Sequence, residues 1–253
     1  MTQTARANLF KSLHKKGDPL ILFNIWDAGS ANALQEIGAK AIATGSWSVA
    51  AAHGFSDGEK LPFDLALANL KRIVQSVDVP VTIDLEGGYG RLQESVTEVI
   101  QAGAVGINFE DQIVGGEGLY SIEEQCARIR AIRETAEDLS IPLFINARTD
   151  IFLKSGPESH TEHHLDEAAR RAASYAEFGA SGFFAPGLMD AKLIEKLCEL
   201  SPIPVNIMML PDALSPKQLA ELGVARISYG PIPYVLVTET LKEAGRKALS
   251  LIS

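Results

Sequence analysis

Cysteine and histidine are scarce in this chain, at two and five among 253 residues. Cys126 and Cys198 have no paired spacing, which excludes a disulfide framework and a cysteine-built zinc site and favours a reduced, cytoplasmic setting. Basic residues are also in deficit. The 23 Lys and Arg against 32 Asp and Glu leave a net charge of −9, which argues against nucleic acid or an anionic membrane surface as the main partner. No run reaches the about 18 apolar residues of a membrane span. Nothing reads as a linker, a low-complexity tract or a second domain. The first seventeen residues hold Arg6, Lys11, Lys15 and Lys16 and no acid, a faint transit-peptide pattern. The simpler reading is an amphipathic helix over about 1–17, with Leu9, Phe10 and Leu13 turned to the body of the fold.

What is present is a repeated punctuation. Four times a helix-like segment ends in Gly and an apolar run follows: "IGAKAIATG" at 37–45, "AGAVGINFE" at 102–110, "FGASGFFAP" at 178–186 and "LGVARISYG" at 222–230. Interleaved are four runs entered through Pro: "DPLILFNI" at 18–25, "VPVTIDLE" at 79–86, "IPLFINAR" at 141–148 and "IPVNIMML" at 203–210. Gly suits a helix C-terminus and Pro a strand entrance, so these are eight buried strands. Helices are expected near 28–37 and over 64–76, 92–103, 121–138, 164–178, 190–200, 215–222 and 231–252. Eight right-handed βαβ units close most simply into a (β/α)8 TIM barrel, one domain over 1–253. A doubly wound open sheet would want G-x-G-x-x-G after the first strand, and "FNIWDAGSAN" lacks it.

Chemistry in such a barrel sits at the C-terminal strand ends. Those ends offer Asn24 and Asp27, then Gly45, Ser46 and Trp47, then Asp84 and Glu86 in "TIDLEGGYG", then Glu110 and Asp111, then Asn146, Arg148 and Asp150, then Asn206. Asp84 and Glu86 stand two apart on a strand, so both are expected on one face. Two confined anions repel, and a hard divalent cation relieves them. Carboxylates without His or Cys suit Mg2+ or Mn2+ rather than zinc. Arg148 is the single cation in the set and presents a planar fork to a small-molecule carboxylate. No strand ends in Lys, which argues against a Schiff-base aldolase.

Together "TIDLEGGYG", "NFEDQ", "NARTD" and "GSWSVAAAHGFSDGE" resemble the isocitrate lyase / phosphoenolpyruvate mutase superfamily, particularly its small phosphonomutase-like and methylisocitrate-lyase-like members. The resemblance runs from about Asp18 to the C-terminus. It implies a Mg2+-dependent barrel acting on α-oxy or α-oxo carboxylates through a pyruvate enolate. It implies metal-site acids at Asp84, Glu86 and Glu110, with Asp57 contributing to catalysis there. The backbone N–H groups of Gly45, Ser46 and Trp47, together with Arg148, would take the carboxylate, with Asn146 and Asn206 as further substrate contacts. Homo-oligomers, dimers or tetramers with the last helix exchanged between subunits, are implied too, and residues 231–252 are the segment to exchange.

Departures from the pattern narrow the chemistry. The loop "QIVGGEGLYS" at 112–121 lacks the cysteine of the C–C lyases and the lysine of the phosphonopyruvate enzymes, and the sixth strand ends in Ala185 and Pro186 where the latter carry histidine. Glu117 and Tyr120 are the candidate proton carriers on this glycine-rich lid. Cleavage of a C–C bond in a small oxo- or hydroxy-di- or tricarboxylate, as in oxaloacetate decarboxylation or methylisocitrate cleavage, demands least. P–C bond rearrangement or hydrolysis and a catalytically silent oxo-acid-binding protein stay open as alternatives. His160, His163 and His164 read as a solvated helix start capped by Thr161 rather than a metal site, and His53 lies near the second strand end.

Overall fold

The structure is a computed structural model and describes residues 1–250. All eight expected strands form: β1 Leu20–Leu22, β2 Ile42–Ala43, β3 Val81–Asp84, β4 Gly106–Glu110, β5 Phe144–Arg148, β6 Gly182–Phe184, β7 Val205–Met208 and β8 Arg226–Ser228. They make one parallel sheet in the order β1-β8-β7-β6-β5-β4-β3-β2. An isolated parallel bridge between Ile25 and Thr44 draws the two edges together. The result is a nearly closed (β/α)8 barrel, as the alternation of strand and helix signals implies.

Eleven α-helices accompany the strands among the described residues. They are α1 Gln3–Ser12, α2 Ala28–Glu36, α3 Ser46–Ala52, α4 Phe63–Ser76, α5 Leu92–Gln101, α6 Ile122–Asp138, α7 Ile151–Lys154, α8 Glu162–Glu177, α9 Ala191–Leu200, α10 Pro216–Glu221 and α11 Ile232–Leu249. Every expected helix is there within a few residues. The last two residues of the expected 231–252 helix lie outside the described residues. The short α3 and α7 are additional and ride on the loops after β2 and β5. Helix starts follow local chemistry: Asp27 with Ser30, Ser121 with Glu124 and Ser215 with Gln218 each form a capping box.

Helix α1 closes the N-terminal end of the barrel. Gln3 Nε2 donates to the carbonyls of Ile100 at 2.7 Å and Ala104 at 2.9 Å, tying the helix to the chain around the α5–β4 turn. Phe10 is fully buried against Phe144 and His14, and with Leu20 and Leu22 it forms a small apolar cluster separate from the main core. Leu13 packs against that cluster, but Leu9, also expected to face inward, is 37% exposed because Phe10 occupies the inward direction. His14 stacks on Phe144 at 3.9 Å. Burial, reinforced by the Arg226 charge, pushes its pKa down to about 3, so it serves the plug as a neutral ring.

Above the plug the barrel interior is polar. Arg226 on β8 donates through Nη2 to Asn108 Oδ1 on β4, directly across the lumen, at 3.0 Å. Asn146 on β5 donates to Asn108 at 2.9 Å and to Asn206 on β7 at 3.0 Å. The apolar plug therefore carries much of the burden of sealing the barrel. Phe10→Ala is expected to lower the unfolding free energy by about 3–5 kcal/mol, as for other fully buried Phe. Urea denaturation checks this, and a loss below about 1 kcal/mol would contradict the sealing role.

Candidate active site

The C-terminal mouth of the barrel holds a cavity of about 180 Å3. Ser46, Asp57, Asp84, Asn108 and Arg148 line one side of it. Asp84 is the last residue of β3. Its Oδ2 accepts the Ser46 N–H at 3.3 Å, whereas Oδ1 is buried without any hydrogen-bond partner. Asp57, on the loop after α3, accepts from the Ser46 hydroxyl and the Gly58 N–H. Burial and the neighbouring Asp84 charge nevertheless raise its pKa.

Glu86 reaches this cluster by a route the sequence did not suggest. The strand ends at Asp84, and Glu86 has φ +50°, so the two acids do not share a strand face. Left-handed backbone instead folds the Glu86 carboxylate back, where Oε2 accepts the Glu59 N–H at 2.8 Å and Oε1 the Tyr89 hydroxyl at 3.1 Å. Glu59 returns the clasp through Oε1, which accepts the Tyr89 N–H at 2.7 Å. The glycines make this turn possible: Gly88 has φ +93°, and a Cβ on Gly87 would stand 2.9 Å from Val114 Cγ2. Burial first, then Asp84 and Asp57, push the Glu86 pKa up to about 7.

Arg148 on β5 is pinned on two sides. Its Nε and Nη2 donate to the two oxygens of Asp150 at 2.6 and 2.9 Å, and Nη1 meets Glu110 Oε2 at 2.9 Å. Three of its five N–H bonds are thus taken, and those remaining are available at the cavity wall. Burial opposes its charge, but Glu110 and Asp150 hold its pKa up. Glu110, buried at the end of β4, is pushed upward by desolvation, with Arg148 pulling the other way. Asp111 belongs elsewhere: Arg171 Nη1 at 3.1 Å, the Tyr175 hydroxyl at 3.0 Å and the Asp150 N–H at 3.0 Å all donate to it.

Several expected substrate contacts are displaced. The Gly45 N–H is spent on the Ile25 carbonyl and the Ser46 N–H on Asp84, so of the three expected backbone donors Trp47 alone is uncommitted outside helix α3. Trp47 itself lines the cavity and stands edge-on to Tyr234. Asn146 and Asn206 do not line the cavity but bond to each other, to Asn108 and to Ser228, whereas Asn24, Asn108 and Ser228 reach it. Glu117 is exposed on the loop tip, and the Tyr120 ring lies 4.1 Å beneath the Arg128 guanidinium; neither lines the cavity. His164 completes a capping box with Thr161, His53 bonds the Val49 carbonyl at the end of α3, and both cysteines are buried on helices. Reasoning from sequence missed Asn108, Ser228, Phe184, Met208 and Leu153. The available signal was strand parity, since Asn108 and Ser228 share faces with Glu110 and Arg226.

Comparison with known proteins places this geometry in a family. Residues 10–249 match the family model described as phosphoenolpyruvate phosphomutase. The chain belongs to that family. A 33% identical relative from Mycobacterium tuberculosis, an uncharacterized protein, aligns over 89% of this chain and 83% of its own length. The 2-methylisocitrate lyase of Escherichia coli is 28% identical over 78% of this chain and 67% of its own. A crystal structure of a candidate phosphonomutase from Burkholderia cenocepacia is 45% identical, with TM-score 0.95 over 98% of this chain and 100% of that one. At the level of fold alone, a phosphonopyruvate hydrolase solved with oxalate and Mg2+ shares the barrel at 19% identity, with TM-score 0.83 over 96% of this chain and 86% of that one.

The cluster has a measurable consequence for pH. Glu86 holds its proton more tightly folded than unfolded, so stability falls as pH rises through about 7. Metal-free protein is expected to gain about 1 kcal/mol between pH 8 and pH 6 from Glu86, a Tm higher by about 2–4 °C. A divalent cation bound in the cluster would compete with that proton, so added Mg2+ is expected to raise the Tm more at pH 8 than at pH 6. Thermal melts with and without Mg2+ at the two pH values check both signs.

Proposed function

We propose that the protein is a Mg2+-dependent lyase, with Mn2+ as a substitute, that cleaves a C–C bond of a small α-oxo or α-hydroxy acid through a pyruvate enolate. The observation that carries this reading is the buried, partnerless Asp84 Oδ1, with the Asp84 charge felt by both Asp57 and Glu86, in a cavity that a pinned Arg148 also lines. Among the described residues no three His, Cys or carboxylate side chains already converge on a point where they could hold an ion. The donor set still fits Mg2+. It is all hard oxygen, it includes one unsatisfied lone-pair face, and Mg2+ keeps several waters that reach ligands set further back. Asp84, Glu86 and Glu110 would hold it, with Asp57 beside them. When bound, the ion stabilises negative charge developing on the substrate oxo oxygen.

The chain's own residues supply the rest. Arg148, fixed by Glu110 and Asp150, grips the substrate carboxylate with its free N–H bonds. Asp57, whose pKa is raised by burial, is the proton carrier at the cavity wall. Glu117 and Tyr120 stand outside the cavity, so the lid's part is to exclude water. P–C chemistry is the second reading, favoured by the family model and opposed by the lid, which has no lysine, and by Pro186 at the end of β6. A non-catalytic oxo-acid binder is the third.

The same reading extends to assembly. Only Pro233 of α11 is buried, while Tyr234 packs on Trp26 and Trp47, and further along Leu236 is 59% and Leu241 70% exposed. An apolar groove of about 500 Å3 lined by Leu20, Ile21, Phe23, Leu34 and Ile37 flanks β1. We propose a cytoplasmic homo-oligomer, a dimer or tetramer, in which α11 covers a partner copy. Sedimentation equilibrium should find no monomer at micromolar concentration, and a monomer would overturn the exchange.

Activity is expected as pyruvate release with Mg2+ from at least one member of a panel of 2-oxo and 2-hydroxy acids that includes oxaloacetate, methylisocitrate, phosphonopyruvate and 4-hydroxy-2-oxo monocarboxylic acids. Asp84→Ala should lower turnover by at least about a hundredfold, in line with losing one charge-stabilising group, and should abolish Mg2+ binding by calorimetry. Full activity in that variant removes the metal-site assignment. Tight oxo-acid binding without turnover across the panel selects the binder.

A further inference from the structure

The two halves of the cavity differ in chemistry. The ends of β1 to β5 and the loops after them bring Asn24, Ser46, Asp57, Asp84, Asn108 and Arg148. The opposite wall is Leu153 of α7 with Phe184, Pro186, Met208 and Pro231 from the ends of β6 to β8, and it has one side-chain hydroxyl, Ser228. Among the described residues Arg148 is the one cation lining the cavity, and Glu110 and Asp150 already hold it. The other guanidinium of the barrel, Arg226, is wholly buried beneath the floor and donates to Asn108 and Ser228 rather than into the cavity.

This arrangement bears on what lies beyond the oxo-acid end of a substrate. A second carboxylate or a phosphonate against Phe184, Pro186 and Met208 would shed its water and meet no cation, and burying an uncompensated charge is costly. An alkyl group in that place gains about three- to fourfold in affinity per buried methylene. The cavity is small, about 180 Å3, so beyond a pyruvyl unit it favours a short chain.

We propose that the substrate carries one carboxylate, at its oxo-acid end, and a short uncharged alkyl group that lies on Leu153, Phe184, Pro186 and Met208. The substrate class is a 4-hydroxy-2-oxo monocarboxylic acid, and the assignment rests on the oxo-acid reading of the site given above. Cleavage breaks the C3–C4 bond. The C4 hydroxyl proton passes to a carboxylate of the site, C4 departs as an aldehyde carbonyl, and the bonding pair becomes the pyruvate enolate. That proton returns to C3 and gives pyruvate, so pyruvate and aldehyde together account for every atom of the substrate. No oxidant or co-reactant enters.

Calorimetry of the full chain with Mg2+ tests this through a matched pair of non-cleavable ligands. 2-Oxopentanoate and 2-oxoglutarate differ only in a terminal methyl against a carboxylate. The monoacid is expected to bind at least tenfold more tightly, with affinity rising about threefold per methylene from pyruvate through 2-oxobutyrate. Met208→Arg puts a cation on the apolar wall and should move the ratio at least tenfold toward 2-oxoglutarate. Equal or tighter binding of 2-oxoglutarate by the unaltered chain, or a ratio that Met208→Arg leaves unchanged, overturns the alkyl assignment. Failure of pyruvate and oxalate alike to bind overturns the oxo-acid reading and the assignment with it, whereas pyruvate binding with a diacid preference overturns the assignment alone.

Discussion

Five carboxylates gather around one guanidinium at the mouth of this barrel, and the rest of the site follows from that imbalance. Glu110 and Asp150 saturate most of Arg148. Asp57, Asp84 and Glu86 are left with neutral donors only: the Ser46 hydroxyl and N–H, the Gly58 N–H, the Glu59 N–H and the Tyr89 hydroxyl. Burial pushes Glu86 up to about 7 and raises Asp57, which is the response of anions that lack a counter-charge. A hard divalent cation would supply that charge, and the same ion would stabilise an enolate beside Arg148.

The fold tolerates this by dividing the barrel along its axis. At the N-terminal end Phe10, Phe144 and a neutral His14 form a dry plug. In the middle, Asn108, Asn146, Asn206 and Ser228 form a hydrogen-bonded layer around Arg226, whose only nearby opposite charge of note is Asp84. Burial lowers the Arg226 pKa to about 9, and its Nη1 has no partner. The acid-rich mouth thus rests on a buried cation held by the Asn108 amide and the Ser228 hydroxyl, without consuming a carboxylate of the cluster.

The barrel was legible in the sequence because strand entrances and helix ends are local chemistry, marked by Pro and Gly independently of tertiary contacts. The short α3 and α7 were not, since helices of seven and four residues carry too little periodicity to stand out. Side-chain parity located the interior faces, yet it does not report which inward residues reach the cavity: Asn146 and Asn206 spend their amides on neighbouring side chains, while Asn108 and Ser228 line it. Parity also fails where a strand stops, and the φ of +50° at Glu86 replaced the expected shared face with a folded-back carboxylate. Asp111 follows β4 and its partner Arg171 is on α8 sixty positions away, so its structural role had no local signal.

The acid cluster around Asp84 is the proposed seat of a divalent cation. An anomalous difference map from crystals grown with Mn2+ and oxalate near pH 8 tests it most directly. One strong peak is expected beside Asp84 Oδ1, near Asp57 and Glu86, with oxalate extending from it toward Arg148. A cluster without a peak, or Mn2+ bound only elsewhere on the surface, would contradict it.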